Sequence, residues 1–170
     1  MKSIKYFPLT ILLSWSIITS AQQYTYSWPR TYDLITVKYS SDTVYTPNNS
    51  PVIVMRWKSG DWTSNTKSDM VSYYQSKYSN RLTFESEATV KYNCHTWVWA
   101  GGTTYWMDPP EQKKYFSSTD RSYVPTTNTD VATKVWYGGN PGTDADHSAN
   151  TTSTSDYFSS KWGLGLGLSA

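Results

Sequence analysis

The sequence predicts a mixed α+β domain in which a short helix packs against an antiparallel sheet. Short runs of β-forming residues alternate with segments rich in Gly, Pro, Asn and Ser along most of the chain, as is typical of strands joined by turns. Two segments instead repeat apolar residues at helical spacing. Tyr, Trp, Ser and Thr are abundant and Leu is scarce, which also favours short strands and aromatic contacts over long amphipathic helices.

The first 21 residues have the features of a cleaved export signal. Lys2 and Lys5 give a basic start, an apolar run follows over residues 7–18, and Thr19 to Ala21 form a small-residue cleavage site. We expect cleavage after Ala21 and a secreted or periplasmic protein. The apolar run is shorter than the ~20 residues of a membrane-spanning helix, so we expect no stable membrane insertion after cleavage.

Size and charge limit the classes of function. Removing 21 of the 170 residues leaves about 149, which fits one core of ordinary size, and we expect a monomer. The chain has 15 basic and 13 acidic residues, and two of the lysines lie in the export signal, so the mature chain has no net formal charge. This balance argues against nucleic acid or anionic lipid as a partner.

A lone cysteine cannot form an internal disulfide, so core packing must hold the fold.

The chain after the signal begins with a predicted region of strands, residues 22–60. β-forming residues at 34–37 and 52–55 flank a turn-rich segment at 47–51, and this pattern predicts a hairpin.

A first helix is predicted after this region. Met70, Tyr74 and Tyr78 recur at every fourth position and therefore share one face of a helix. Asp69 precedes them and can cap the first turn. We therefore predict a helix over residues 69–78.

A second, shorter helix is predicted to carry the only cysteine. Asn93 is a good N-cap, and Gly101-Gly102 ends the element after about two turns. Cys94, Trp97 and Val98 are spaced to share one face of it. Cys94 then lies in the first turn.

The C-terminal third is predicted to form an antiparallel meander after an irregular crossing loop over 104–116, which contains two adjacent prolines. The predicted strands are 131–137, 149–154 and 157–162, and His147 can start the second of them. Residues 164–170 alternate Gly and Leu without a turn or cap signal, so we expect a disordered or truncated tail.

The chemistry that these elements permit centres on Cys94. A first-turn position lowers the pKa of a thiol, because unpaired N–H groups and the helix dipole face the sulfur. Imidazole is the side chain best suited to accept the thiol proton near neutral pH. One residue along a helix turns the side chain by about 100°, so His95 should point away from Cys94. His147 is therefore the better base, and a helix-borne cysteine facing a strand-borne histidine is the arrangement of papain-like acyl-transfer sites.

Other interpretations of these residues stay open. A single free cysteine before two tryptophans can simply pack in the core, although a free thiol without a use risks oxidation in an exported protein. His147 can equally be a surface histidine of a loop. The spacing of Cys94, His95 and His147 matches no usual zinc pattern, so we expect no metal and no cofactor. The tryptophans could form a sugar-binding surface, but such residues more often belong to the core.

Four motifs in the same order give the chain a resemblance to a known family. The runs "EATVKYNCHTWVW", "YWMDPPEQ", "ATKVWYGGNPGTDADHSAN" and "SSKWG" are similar to the pattern of a group of bacterial exported proteins. That group looks like a branch of the NlpC/P60 and CHAP superfamily of papain-like cysteine peptidases and amidases. The resemblance covers about residues 68–163.

The resemblance implies a papain-like, NlpC/P60-like core over residues 61–163, with Cys94 as nucleophile and His147 as general base. It also implies a third polar group that orients the imidazole, and Ser160 or a neighbour could fill that place. The implied function is an exported cysteine hydrolase that cleaves amide bonds through an acyl-enzyme, with the peptidoglycan stem peptide or its amide link to sugar as the substrate. A non-catalytic cell-wall or glycan-binding module on the same fold is the alternative.

Overall fold

The computed structural model describes residues 21–78, 81–137, 147–154, 157–161 and 167–169. Of the predicted export signal, residues 1–21, all but Ala21 lies outside the described residues. The described part is a mixed α+β protein whose strands form antiparallel sheets, as predicted. Its strands are β1 Gln22–Trp28, β2 Asp33–Tyr45, β3 Pro51–Ser59, β4 Thr83–Ser86, β5 Tyr105–Trp106, β6 Lys134–Tyr137, β7 His147–Thr151, β8 Phe158–Lys161 and β9 Gly167–Ser169.

The described strands belong to two sheets. One has the order β1-β2-β3-β5 and the other the order β4-β9-β8-β7-β6. The helices are α1 Ser64–Tyr78, a π helix Thr96–Ala100, α2 Pro109–Gln112 and a 3-10 helix Lys113–Phe116. None of the helices in the described ranges has the length and apolar composition needed to cross a membrane.

The predicted N-terminal hairpin is confirmed. β2 and β3 pair antiparallel, with Val44 opposite Val52 and Asp42 opposite Val54. The turn closes with a hydrogen bond of 3.0 Å from the Thr46 backbone N–H to the Ser50 carbonyl oxygen. Turn-forming residues between two β-branched runs therefore sufficed to specify this pairing.

Helix α1 is longer than predicted, and its start at Asp69 was wrong. The Thr63 side-chain oxygen accepts a hydrogen bond of 3.2 Å from the Thr66 N–H, which makes Thr63 the cap. Asp69 lies inside the helix and instead accepts hydrogen bonds from Trp28 Nε1 at 2.7 Å and from Arg30 at 3.0 Å. Met70 is buried, as the helical spacing indicated.

The expected irregular loop over 104–116 was also wrong. This segment contains β5, α2 and the 3-10 helix. Pro109 occupies the start of α2, where a missing N–H removes no intrahelical hydrogen bond. The two prolines therefore begin a helix here.

The predicted meander is confirmed as β6, β7 and β8, which pair antiparallel in that order. β6 begins three residues later than predicted, at Lys134, because the chain before it stays on the surface and Val131 is exposed.

Gly167–Ser169, within the segment expected to be disordered or truncated, is a strand between β4 and β8. Its backbone pairing depends on two distant segments.

The buried side chains form two clusters. One lies between the first sheet and α1, and it consists of Val37, Tyr39, Trp62, Met70, Ala88 and Val90. The other lies around the π helix and consists of Val52, Val54, Val98, Trp99, Met107 and Tyr115. The π helix also contacts β7 and β8. The second cluster therefore fixes the helix of Cys94 between the two sheets.

Candidate active site

Asn93 fixes the start of the helix that carries Cys94. Its Oδ1 accepts hydrogen bonds from Thr96 N at 3.0 Å, from Thr96 Oγ1 at 2.9 Å and from Met107 N at 3.3 Å. Its Nδ2 donates to the Met107 carbonyl oxygen at 2.6 Å. The predicted N-cap is confirmed, and the same side chain also ties the helix to the segment before α2.

The helix itself continues as a π helix, which the sequence did not predict. Cys94 and His95 have α-helical geometry, and Thr96–Ala100 follow with the wider π turn. Gly101 ends the element in the left-handed region with φ 64°, as predicted. Within this helix Trp99 is buried, whereas Trp97 is only partly buried. Segments of π helix occur often at functional sites.

The Cys94 thiol is buried, with 5% of the residue exposed. Burial raises the pKa of the thiol, and the backbone N–H groups of Ser148 and His95 and the charge of Lys161 offset that rise only in part. The expected low pKa was therefore wrong, because removal of the thiolate from water outweighs the favourable N–H groups. The Ser148 N–H belongs to the peptide bond that follows His147. The sulfur of the helix therefore contacts the backbone of the residue that follows His147 in β7.

His147 begins β7 and is half-buried. Its Nε2 lies 2.6 Å from Ser160 Oγ, and Ser160 Oγ donates its proton to the Ser148 carbonyl oxygen at 2.7 Å. A hydroxyl has one proton, so the Nε2–H of His147 must donate to Ser160, which leaves Nδ1 as the basic nitrogen of the neutral ring. Burial and the nearby Lys161 lower the pKa of His147, so its ring is neutral at pH 7.

His95 takes part in a different contact. It is buried, and its Nδ1 lies 2.9 Å from Ser148 Oγ. The same oxygen accepts a hydrogen bond of 2.8 Å from Trp99 Nε1. His95 therefore faces the side chain of Ser148, whereas the contact that Ser148 makes with Cys94 uses its backbone.

Sequence reasoning missed two residues of this site, Ser148 and Lys161. Ser148 contacts Cys94, His95 and Trp99, but serine in a strand carries no signal for such a role. Lys161 is fully buried, and its Nζ lies 5.4 Å from the centroid of the Tyr92 ring. Lysine is usually exposed, so only the packed structure identifies this residue.

A cavity of about 390 Å³ is lined in part by Trp99. Aromatic and apolar side chains form most of its wall, together with Lys134, whose ammonium group donates to the Val98 carbonyl oxygen. The indole Nε1 of Trp136, another wall residue, is buried without a hydrogen-bond partner.

Within the described ranges, no three His, Cys, Asp or Glu side chains lie close enough together to hold a metal ion.

Comparison of the chain with models of known families, with curated proteins and with solved structures gave no match.

Proposed function

We propose that this protein is an exported cysteine hydrolase with a papain-like core, which cleaves amide bonds in peptidoglycan stem peptides. Cys94 is the nucleophile and His147 the general base. The observation that carries the proposal is the hydrogen bond of 2.6 Å between Ser160 Oγ and His147 Nε2. The residue after His147 in β7 is Ser148, and its backbone N–H contacts the Cys94 sulfur. That hydrogen bond gives Ser160 the role of the third, orienting group and leaves Nδ1 to accept a proton.

The pKa directions favour a neutral resting pair over a preformed thiolate and imidazolium. The pKa of Cys94 is raised and that of His147 is lowered, so near pH 7 the thiol keeps its proton and the ring is neutral. His147 Nδ1 then accepts the thiol proton as the sulfur attacks the substrate carbonyl carbon. Backbone N–H groups at the start of the helix, including that of Cys94, stabilise the oxyanion.

The remaining steps return both residues to their resting states. The amide C–N bond breaks, and the imidazolium of His147 donates its proton to the leaving amine. A water molecule then attacks the thioester carbon while His147 accepts a proton from that water. The C–S bond breaks, the product leaves as a carboxylic acid, and Cys94 regains its proton from His147.

Alkylation of Cys94 tests the proposed pair, because the chain has a single cysteine. The rate of reaction with iodoacetamide should increase from pH 7 toward pH 10, since the pKa of the thiol is raised. At pH 7.5, His147→Ala should lower this rate by about tenfold or more, because the proton acceptor is lost. Ser160→Ala should lower it less, by about threefold, because the ring keeps its chemistry but loses its orientation. The rates can be measured by mass spectrometry.

His95→Asn provides the matched control, since an amide can replace Nδ1 in the contact with Ser148. Its alkylation rate should stay within about twofold of the unmodified protein. Equal rates for the His147→Ala variant and this control would overturn the assignment of His147 as the base.

The cavity beside Trp99 favours a second candidate function, that of a non-catalytic wall- or glycan-binding module. Its aromatic walls are of the kind that stack on sugars. Val131 lines this cavity and is 64% exposed, so a long charged side chain there would obstruct the cavity without disturbing the core. If the protein is such a binding module, Val131→Arg should weaken its co-sedimentation with insoluble peptidoglycan by about tenfold.

Leu34→Arg is the control, because Leu34 is 71% exposed on β2 and does not line the cavity. It should bind like the unmodified protein. Binding that persists in Cys94→Ser, is lost in Val131→Arg and releases no fragments would select the binding module. Unchanged binding by Val131→Arg would exclude this cavity as the glycan site.

A further inference from the structure

Lys161 is a fully buried lysine in the strand beside that of His147. It ends β8, where Ser159 and Ser160 are also buried. The register that pairs Asn150 with Ser159 places Lys161 opposite Ser148. Side chains that lie opposite each other on neighbouring antiparallel strands point to the same face of the sheet, so Lys161 shares the face of Ser148. That face is on the side of the helix that begins at Cys94, because the Ser148 hydroxyl contacts His95 and Trp99.

A buried ammonium group is costly unless nearby groups compensate it. The ring of Tyr92 provides a cation–π contact, with 5.4 Å between Nζ and the ring centroid. Cys94 and Asp61 favour the charged form of Lys161, but burial outweighs them and lowers the pKa of Lys161 to about 7. Asp61 is also 3.1 Å from Lys67 and 3.9 Å from Lys91, so its charge is shared.

The charge of Lys161 acts on both members of the proposed pair. It lowers the pKa of Cys94, because a nearby cation favours the thiolate. It also lowers the pKa of His147, because like charges repel and the imidazolium becomes less favourable. A single cation therefore favours the thiolate of Cys94 and, at the same time, the neutral form of the His147 ring.

We propose that Lys161 is a positioning residue of this site, a buried counter-ion that favours the Cys94 thiolate during catalysis and disfavours the protonated form of His147. The inference rests on Cys94 and His147 being the reactive pair of the proposed function. Lys161 itself does not contact the substrate or transfer a proton.

Lys161→Met tests this role, because methionine keeps an unbranched apolar stem and removes the charge. Lys161 is largely protonated below pH 7, so without the cation the rate of Cys94 alkylation at pH 6 should fall by about tenfold, whereas the rate at pH 9, where Lys161 is largely neutral, should stay the same. The NMR titration of the His147 ring should also move to higher pH. A residue that only filled space would leave the rate at pH 6 and the His147 titration where they were.

Thermal unfolding shows whether a changed alkylation rate in Lys161→Met comes from the lost charge or from misfolding of the variant. Replacing a buried charge with an apolar side chain is often neutral or stabilising, so the midpoint of unfolding of Lys161→Met should be unchanged or higher. Lys91→Met is the matched control, because it removes a partly exposed positive charge near the same Asp61. Its alkylation profile should be unchanged.

A second measurement does not depend on the folding of Lys161→Met. In the otherwise unmodified protein, the ammonium group of Lys161 should titrate near neutral pH by NMR, because burial lowers its pKa to about 7. A Lys161 titration near the ordinary lysine value of ~10.4, or, in a folded Lys161→Met, an unchanged His147 titration together with an unchanged alkylation rate at pH 6, would overturn the inference.

The outcomes distinguish this inference from the proposed function. If Lys161→Met lowers the alkylation rate at pH 6 and shifts the His147 titration while no amide substrate is cleaved, the electrostatic coupling stands and the hydrolase proposal fails. If His147→Ala suppresses alkylation and Lys161→Met changes neither the rate at pH 6 nor the His147 titration, the hydrolase proposal stands and the role of Lys161 fails.

Discussion

Replacing Cys94 with serine should reduce the release of soluble fragments from purified peptidoglycan by at least about 10³-fold. The buried position gives a hydroxyl no better access to a base than the thiol has, and a hydroxyl is far harder to deprotonate. Fragment release can be measured by chromatography with mass detection, which also identifies the bond that is cleaved. Serine is close in size to cysteine, so we expect the thermal unfolding midpoint to stay within a few degrees.

The matched control for this prediction is Ser72→Ala, a change on the exposed side of α1, away from the site. It should release fragments at the unmodified rate. Equal release by Cys94→Ser and by this control would show that Cys94 is not the nucleophile.

Replacing Asn93 with alanine should lower the free energy of unfolding by about 2–4 kcal/mol. The change leaves the N–H of Thr96 and both backbone groups of Met107 without the partner that they have in the folded protein. These groups are buried, so water cannot replace the lost hydrogen bonds. Urea unfolding followed by tryptophan fluorescence measures the effect.

Asn65→Ala is the matched control, because Asn65 is exposed on α1. Its effect should lie within about 0.5 kcal/mol of zero, as is usual for surface substitutions. Equal stabilities of the two variants would show that the cap of the Cys94 helix contributes little to the fold.

Several elements of the fold could be predicted from the sequence because their signals are local. The hairpin of β2 and β3 follows from two β-branched runs around a turn, and the helix of Cys94 follows from a cap and a pair of glycines. Local signals also gave β6 to β8, in which His147 begins a strand. The sequence therefore identified the two candidate reactive residues and the elements that carry them.

The predictions that were wrong concern properties that distant segments decide. Residues 167–169 form a strand only because β4 and β8 provide backbone partners on both sides. The pKa of Cys94 is raised because the packed helix and sheet exclude water from the sulfur, which a helix position cannot reveal.

The sequence by itself determined the mixed α+β class and the placement of Cys94 at a helix start and of His147 at a strand start. Only the tertiary structure brought Ser160 to His147 and buried Lys161 beside Cys94. The physical reason is that backbone preferences act between near neighbours in the chain, whereas desolvation and charge coupling depend on which distant groups pack together.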